Sequence, residues 1–134
     1  MTPATATDAY IPGVCNINRE EIAKRRLIGH IGLAAFIIIL ALLLITGVDR
    51  YLRIILFIPA MLSISGYLQA RNHFCVGYGG SGKQNAGEGS ATASTVEDAD
   101  ALAKDKQRTR KMNLQTLASA IVVTLITLLL PVFN

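Results

Sequence analysis

The chain has 134 residues, of which 51% are of hydrophobic types and 16% are charged, and its formal net charge at pH 7 is +4. This length is too short for two domains, and this composition is too apolar for an ordinary soluble domain. The sequence therefore argues against a water-soluble protein and favours one that folds in a lipid bilayer.

Three stretches approach the length of about 20 apolar residues that a helix needs to cross the hydrocarbon core. They run from Leu27 to Val48, from Tyr51 to Ala70 and from Leu114 to Phe133. The first stretch is apolar on every side from Ile31 to Ile45, which is typical of a helix surrounded by lipid or protein. It is too long for a cleaved signal peptide, and no small-residue cleavage site follows it. We therefore predict an all-α membrane protein with three transmembrane helices.

The boundaries of the first two helices follow from local signals. Asn18, with a carboxylate at Glu21, has the form of a helix N-cap and predicts that the first helix begins near Arg19. Only a few residues separate the first two apolar stretches, which predicts a tight antiparallel hairpin. Arg53 lies one turn inside the second stretch, and we expect its long side chain to extend to the lipid headgroups.

The third apolar stretch is preceded by a long polar region. The glycine-rich segment from Gly77 to Ser94 has the composition of a flexible linker. After it, Thr95 with Asp98 repeats the N-cap signature, and a charged stretch continues to Lys111 without glycine or proline. We therefore predict that the third transmembrane helix extends out of the membrane as a charged helix.

The distribution of basic residues predicts the orientation. Eleven of the 13 Lys and Arg residues lie before the first helix or between the second and third, and two lie at the hairpin. The positive-inside rule then places the N-terminus in the cytoplasm and the C-terminus on the opposite side, most simply of a bacterial plasma (inner) membrane. Six of these residues are expected to contact anionic lipid headgroups: Lys24, Arg25, Arg26, Arg108, Arg110 and Lys111.

With this orientation, the chain divides into six predicted parts. They are an extended N-terminal cytoplasmic arm available to a partner (1–18), a short cytoplasmic turn with the first transmembrane helix (19–48), the second transmembrane helix (51–70), a flexible glycine-rich cytoplasmic loop (71–94), a charged cytoplasmic helix (95–113) and the third transmembrane helix (114–133).

One glycine motif resembles a phosphate-binding loop only superficially. The segment GYGGSGKQ, residues 77–84, matches the pattern GxxxxGK[ST] except that Gln84 replaces the hydroxyl residue expected to hold magnesium. A true loop of this kind lies between a strand and a helix of an α/β domain, whereas a membrane helix precedes this one. We therefore expect no nucleotide binding, and nothing in the sequence predicts a nucleic-acid partner.

The cysteines and histidines offer a weaker alternative. Cys15, Cys75, His73 and His30 all lie at the predicted cytoplasmic face, and thiolate and imidazole are ligands for transition metals. No CxxC or HxxxH spacing supports a ligand pair, and two residues at i and i+2 do not share a helix face. A transition-metal or thiol-redox site at Cys15, Cys75 and His73, with His30 as a further ligand, therefore remains an alternative.

The functional prediction is a non-enzymatic accessory subunit. No catalytic residues are predicted, because the sequence has no Ser/His/Asp set and no paired carboxylates near a span. No cofactor is predicted either. Three spans with only small parts outside the membrane are typical of a subunit that packs against a larger integral membrane complex, of the respiratory or photosynthetic type. A small oligomeric transporter or channel is a second alternative, although no ionisable residue lies at mid-membrane.

Overall fold

The computed structural model describes residues 10–86 and 94–131 of the chain. Helices dominate the described residues. In chain order the elements are α1 (Arg19–Ile45), a 3-10 helix (Arg50–Leu56), α2 (Phe57–Asn72), α3 (Val76–Ser81), strand β1 (Lys83–Gln84), strand β2 (Ser94–Thr95) and α4 (Ala99–Leu129).

Three helical segments are long and apolar enough to span a membrane, as predicted. They are α1, the 3-10 helix together with α2, and α4. Their outward faces are apolar: Ile45, Ile58 and Leu129 are each more than 70% exposed within the chain. Such faces are compatible with an integral membrane protein, because lipid covers them in a bilayer.

The first helix is continuous from its polar start through its apolar span. The N-cap prediction is confirmed, because the Asn18 side chain accepts a hydrogen bond from the backbone N–H of Glu21 at 3.0 Å. This bond satisfies one of the backbone donors that have no partner within the first turn of a helix.

The second span changes its helical geometry along its length. It begins as the 3-10 helix and becomes α-helical at Phe57, so that Pro59 lies in the first turn of α2, where its missing N–H is tolerated. Helix α2 ends at Asn72, and His73 adopts a left-handed conformation with φ of 53°.

The charged helix that leads into the third span was predicted to begin at Thr95, and in the structure it begins at Ala99. Its N-cap is Asp98, whose carboxylate accepts from the N–H of Ala101 at 3.0 Å. The cap predicted at Thr95 is wrong, because Thr95 instead pairs with Lys83 in the β1–β2 ladder. Charged and apolar parts then form one helix to Leu129. Leu130 is extended, as is usual for a residue before proline.

The described part of the glycine-rich loop forms secondary structure, where the sequence predicted a flexible linker. Residues 76–81 form α3, and β1 pairs with β2 in antiparallel register. Gly79 explains part of this structure, since a Cβ atom there would collide with Thr109 and Phe74. Gly79 thus permits close packing of this segment against α4. Residues 87–93 of the predicted loop lie outside the described residues.

Small residues bring α1 and α2 into close contact. The Ser63 hydroxyl donates to the carbonyl oxygen of Gly29 at 3.0 Å. A Cβ atom on Gly66 would lie 2.5 Å from the backbone nitrogen of Gly29, and one on Gly32 would lie 2.5 Å from that of Ser63. The two backbones therefore pack against each other, as small residues allow in membrane helices.

We expect Gly66→Ala to lower stability by about 1 to 3 kcal/mol, because the added methyl group must push the α1 backbone away. The matched control is Gly80→Ala, where the new Cβ meets only the Thr109 Cγ2 atom, at 3.7 Å. Unfolding by SDS titration in detergent, followed by circular dichroism, measures both. Equal midpoints for the two variants would contradict the close packing of α1 on α2.

The sequence led us to expect that the Arg53 side chain extends to the lipid headgroups, and the structure shows that it does not. It is 1% exposed, and its guanidinium donates to the carbonyl oxygens of Thr127 and Leu130, both at 2.6 Å. A third bond, of 2.9 Å, goes to the carbonyl oxygen of Pro131. The last carbonyls of a helix have no partner within it and carry partial negative charge, so a cation is favoured there. Arg53 thereby caps α4 from the neighbouring span.

Candidate functional site

Most of the sequence-predicted site residues lie at one end of the bundle, which we call the polar end. It comprises the described N-terminal segment (10–18), the start of α1, the end of α2, residues 73–86 and the charged part of α4. Its core contains Ile17, Ile22, Ala70 and Cys75, with Tyr78 packed against them.

Asn16 holds the polar end together and is fully buried. Its side chain accepts from the N–H of Cys75 at 2.6 Å and donates to the carbonyl oxygen of the same residue at 3.1 Å. Its backbone N–H donates to the His73 carbonyl oxygen, and its carbonyl oxygen accepts from the N–H of Asn85 at 2.7 Å. One residue therefore joins the N-terminal segment to both ends of the 73–86 segment.

Sequence reasoning did not select Asn16 as a site residue. The available signal was an asparagine between two residues, Cys15 and Ile17, that are suited to burial. Such a signal is weak, because asparagine is far more often exposed. Only the placement of Cys75 beside the N-terminal segment shows what the amide binds.

A second cluster surrounds the Glu21 carboxylate, which is buried. It forms ion pairs with Arg25 at 3.1 Å and with Lys24 at 3.3 Å. The guanidinium of Arg25 also donates to the Sγ atom of Cys75 at 3.0 Å and lies 5.9 Å from the centroid of the Tyr78 ring. These contacts link the first turns of α1 to the segment after α2.

Arg25 was expected to contact lipid headgroups, and the structure corrects this. Its side chain is 16% exposed and its charge faces Glu21, one helical turn earlier, so it is engaged within the protein. Lys24 also pairs with Glu21, but its side chain stays 65% exposed. Of the other four residues predicted to contact lipid, Arg108 is partly buried, and the rest are exposed: Arg26, Arg110 and Lys111.

The structure does not gather the cysteines and histidines into one site. Cys15 and Cys75, the only two cysteines of the chain, are buried thiols. Cys15 donates to the Ile17 carbonyl oxygen, whereas the Nδ1 atom of His30 lies 2.6 Å from the Tyr67 hydroxyl. Within residues 10–86 and 94–131, no group of three or more His, Cys, Asp or Glu side chains is placed to hold a metal ion. The alternative ligand set of Cys15, Cys75, His73 and His30 therefore does not converge.

The N-terminal segment packs on its own chain, which corrects the prediction of an arm available to a partner for its described residues. The Tyr10 hydroxyl donates to Asp105 at 2.6 Å, and the N–H of Gly13 donates to the same carboxylate at 2.7 Å. Burial, and then the bond to Asp105 and its negative charge, raise the pKa of Tyr10 well above its usual value. Residues 1–9 of the predicted arm lie outside the described part of the chain.

The segment GYGGSGKQ forms neither the loop nor the surroundings of a phosphate-binding motif. Its first five residues belong to α3, and Lys83 and Gln84 form β1. The order is thus helix and then strand, the reverse of the strand, loop and helix that a nucleotide site of this kind requires.

Comparison of the chain with protein-family models, with curated proteins and with solved structures found no match. Function is therefore argued from the geometry of the chain itself.

Proposed function

We propose that the protein is a non-enzymatic accessory subunit of a larger integral membrane complex. In this proposal its polar end lies in the cytoplasm and its C-terminus on the opposite side of a bacterial plasma membrane. The basic residues concentrated at the polar end support this orientation.

The observation that carries the proposal is that the reactive side chains of the polar end are buried and bonded within the chain. The thiols of Cys15 and Cys75 and the carboxylates of Glu21 and Asp105 are all buried. Each has a hydrogen bond or ion pair with a group of this same chain. Side chains used to hold backbone segments together are poorly available to a substrate, which favours a structural role for the polar end.

The apolar surface of α1 supports docking to another membrane protein. Of the three spans, α1 is the least covered by the rest of the chain. Along its length, side chains such as Ile38 and Leu42 are more than half exposed. In a complex, a neighbouring subunit would cover this face in place of lipid, through packing of side chains.

Photo-cross-linking in native membranes tests the proposal. A benzophenone amino acid replaces Ile38 on α1 in one variant and, as the control, Ile126 on α4, which is 55% exposed. We expect Ile38 to give a protein adduct of defined mass, and mild-detergent purification to recover the chain with the same partner. The control position is expected to react mainly with lipid.

Recovery of the chain alone, with lipid adducts from both positions, would refute the accessory role. Elemental analysis of the purified sample separates the main alternative. If the sample contains about one transition-metal ion per chain and the Cys75→Ser variant loses it, the alternative of a transition-metal site would be favoured over the accessory role.

A further inference from the structure

The end of α2 and the middle of α4 line a basic cavity of about 330 Å³ that is open on one side, at the polar end. Its lining residues are Leu68, Arg71, Asn72, Arg108, Lys111 and Gln115. Three of the six are cations, and the described lining includes no carboxylate. The positive charge of such a cavity attracts an anion. The planar guanidinium groups of its arginines match the geometry of phosphate oxygens.

We propose that this cavity binds a phosphate group, with Arg108, Arg71 and Lys111 as its cationic ligands. This inference does not depend on the accessory role.

Arg108 is held in position before any ligand arrives. Its guanidinium donates to the Oδ1 atom of Asn72 at 2.6 Å, and the Nδ2 atom of Asn72 in turn donates to the Leu68 carbonyl oxygen at 2.7 Å. The Nε atom of Arg108 is buried and has no hydrogen-bond partner among the residues that the structure describes. A buried cationic donor without an acceptor is costly, and the negative charge of an anion in the cavity would offset part of that cost.

A second cavity, of about 300 Å³, adjoins the first and adds to the positive charge. It shares Arg108 and Lys111 with the first cavity and is also lined by Lys104. The acidic residue on this part of α4, Asp105, does not line either cavity and is bound to Tyr10 and Gly13. Four cationic side chains therefore line the two cavities against one nearby carboxylate, Asp105, so positive charge prevails there.

The position of the cavity along α4 agrees with the level of phospholipid headgroups in a bilayer. Its α4 residues run from Arg108 to Gln115, across the point where the charged part of the helix gives way to the apolar span that starts at Leu114. In a bilayer this boundary lies among the phosphates. Free phosphate in the aqueous phase has the same chemistry, and the test separates these two sources.

The lipid arm uses native mass spectrometry of the full chain from micelles that contain phosphatidylcholine and phosphatidylglycerol. We expect the wild-type chain to retain phosphatidylglycerol selectively. Lys111→Gln and Arg71→Gln should each lower its retention roughly fivefold, the effect of one basic side chain near an anionic surface. The matched control is Arg110→Gln, which removes an exposed charge from α4 without touching the cavity.

Arg108→Lys is a further variant, which keeps the charge and removes the forked donors. It should lower retention while leaving the circular dichroism spectrum unchanged. The free-phosphate arm titrates sodium phosphate into lipid-free micelles and follows binding by calorimetry.

The outcomes are distinct. Selective lipid retention that requires Lys111 and Arg71, without saturable binding of free phosphate, identifies a phospholipid as the ligand. Saturable phosphate binding that requires the same residues and displaces phosphatidylglycerol identifies free phosphate. Loss of retention to the same extent in Arg110→Gln, or no retention in the wild type together with no phosphate binding, would overturn the proposal.

Discussion

Replacement of Arg53 by leucine is expected to destabilise the protein by about 2 to 4 kcal/mol, because a buried acceptor left without its donor costs about 1 to 3 kcal/mol. The substitution removes all three hydrogen bonds to the end of α4. It also leaves the carbonyl oxygen of Thr127 without its donor in a buried position, where an unsatisfied polar group is costly, and that of Leu130 without its donor in a partly buried one. SDS titration in detergent measures the loss, and hydrogen exchange should show fraying confined to the last turn of α4.

The matched control is Arg50→Leu, three residues earlier in the same 3-10 helix, where the side chain is exposed. We expect a change within about 0.5 kcal/mol for this variant, as for most surface substitutions. Arg53→Lys should lie between the two, because a single ammonium group cannot match the forked geometry of the guanidinium. If Arg53→Leu were as stable as Arg50→Leu, the proposed capping of α4 would be wrong.

The second large effect is expected for Asn16→Ala, which should cost about 2 to 4 kcal/mol. The substitution removes two hydrogen bonds to Cys75 and leaves the N–H of that residue buried without an acceptor. The alanine variant can still make the backbone bonds of residue 16 to His73 and Asn85, but without the side-chain bonds to Cys75 we expect them to open more often and the N-terminal segment to loosen from the 73–86 segment. Faster hydrogen exchange at the amides of Asn18 and Asn85 would report this directly.

Asn113→Ala serves as the control for the same chemical change, because Asn113 is exposed on α4. It should leave both the exchange rates and the midpoint of unfolding nearly unchanged. Asn16→Ala should also increase the alkylation rate of Cys75, a residue that is 5% exposed in the intact protein. Unchanged exchange and alkylation in Asn16→Ala would show that Asn16 does not hold these segments together.

The basic residues show where prediction of the site reached its limit. Their number and their concentration between spans are visible in the sequence, and they led to six expected lipid contacts. The sequence could not separate Arg25, which pairs with Glu21 and Cys75, from Arg26, which is exposed. It also gave no reason to group Arg71 with Arg108, because these residues meet only when α2 packs beside α4.

The sequence by itself determined the features that depend on neighbours along the chain. Three membrane-length helices follow from runs of apolar residues, and the start of α1 follows from Asn18, because a helix N-cap is satisfied within one turn. These signals are local, so no knowledge of packing is needed to interpret them.

Tertiary structure alone decided which polar groups are buried and what they bind. Arg53 caps a helix end that lies 74 residues away at Thr127, and Asn16 binds Cys75 across 59 residues. The described part of the glycine-rich segment packs against α4 through Gly79 and pairs with β2 through β1. In each case the partner is brought close by the packing of helices, and the free energy of a buried polar group depends on that partner rather than on its own residue type.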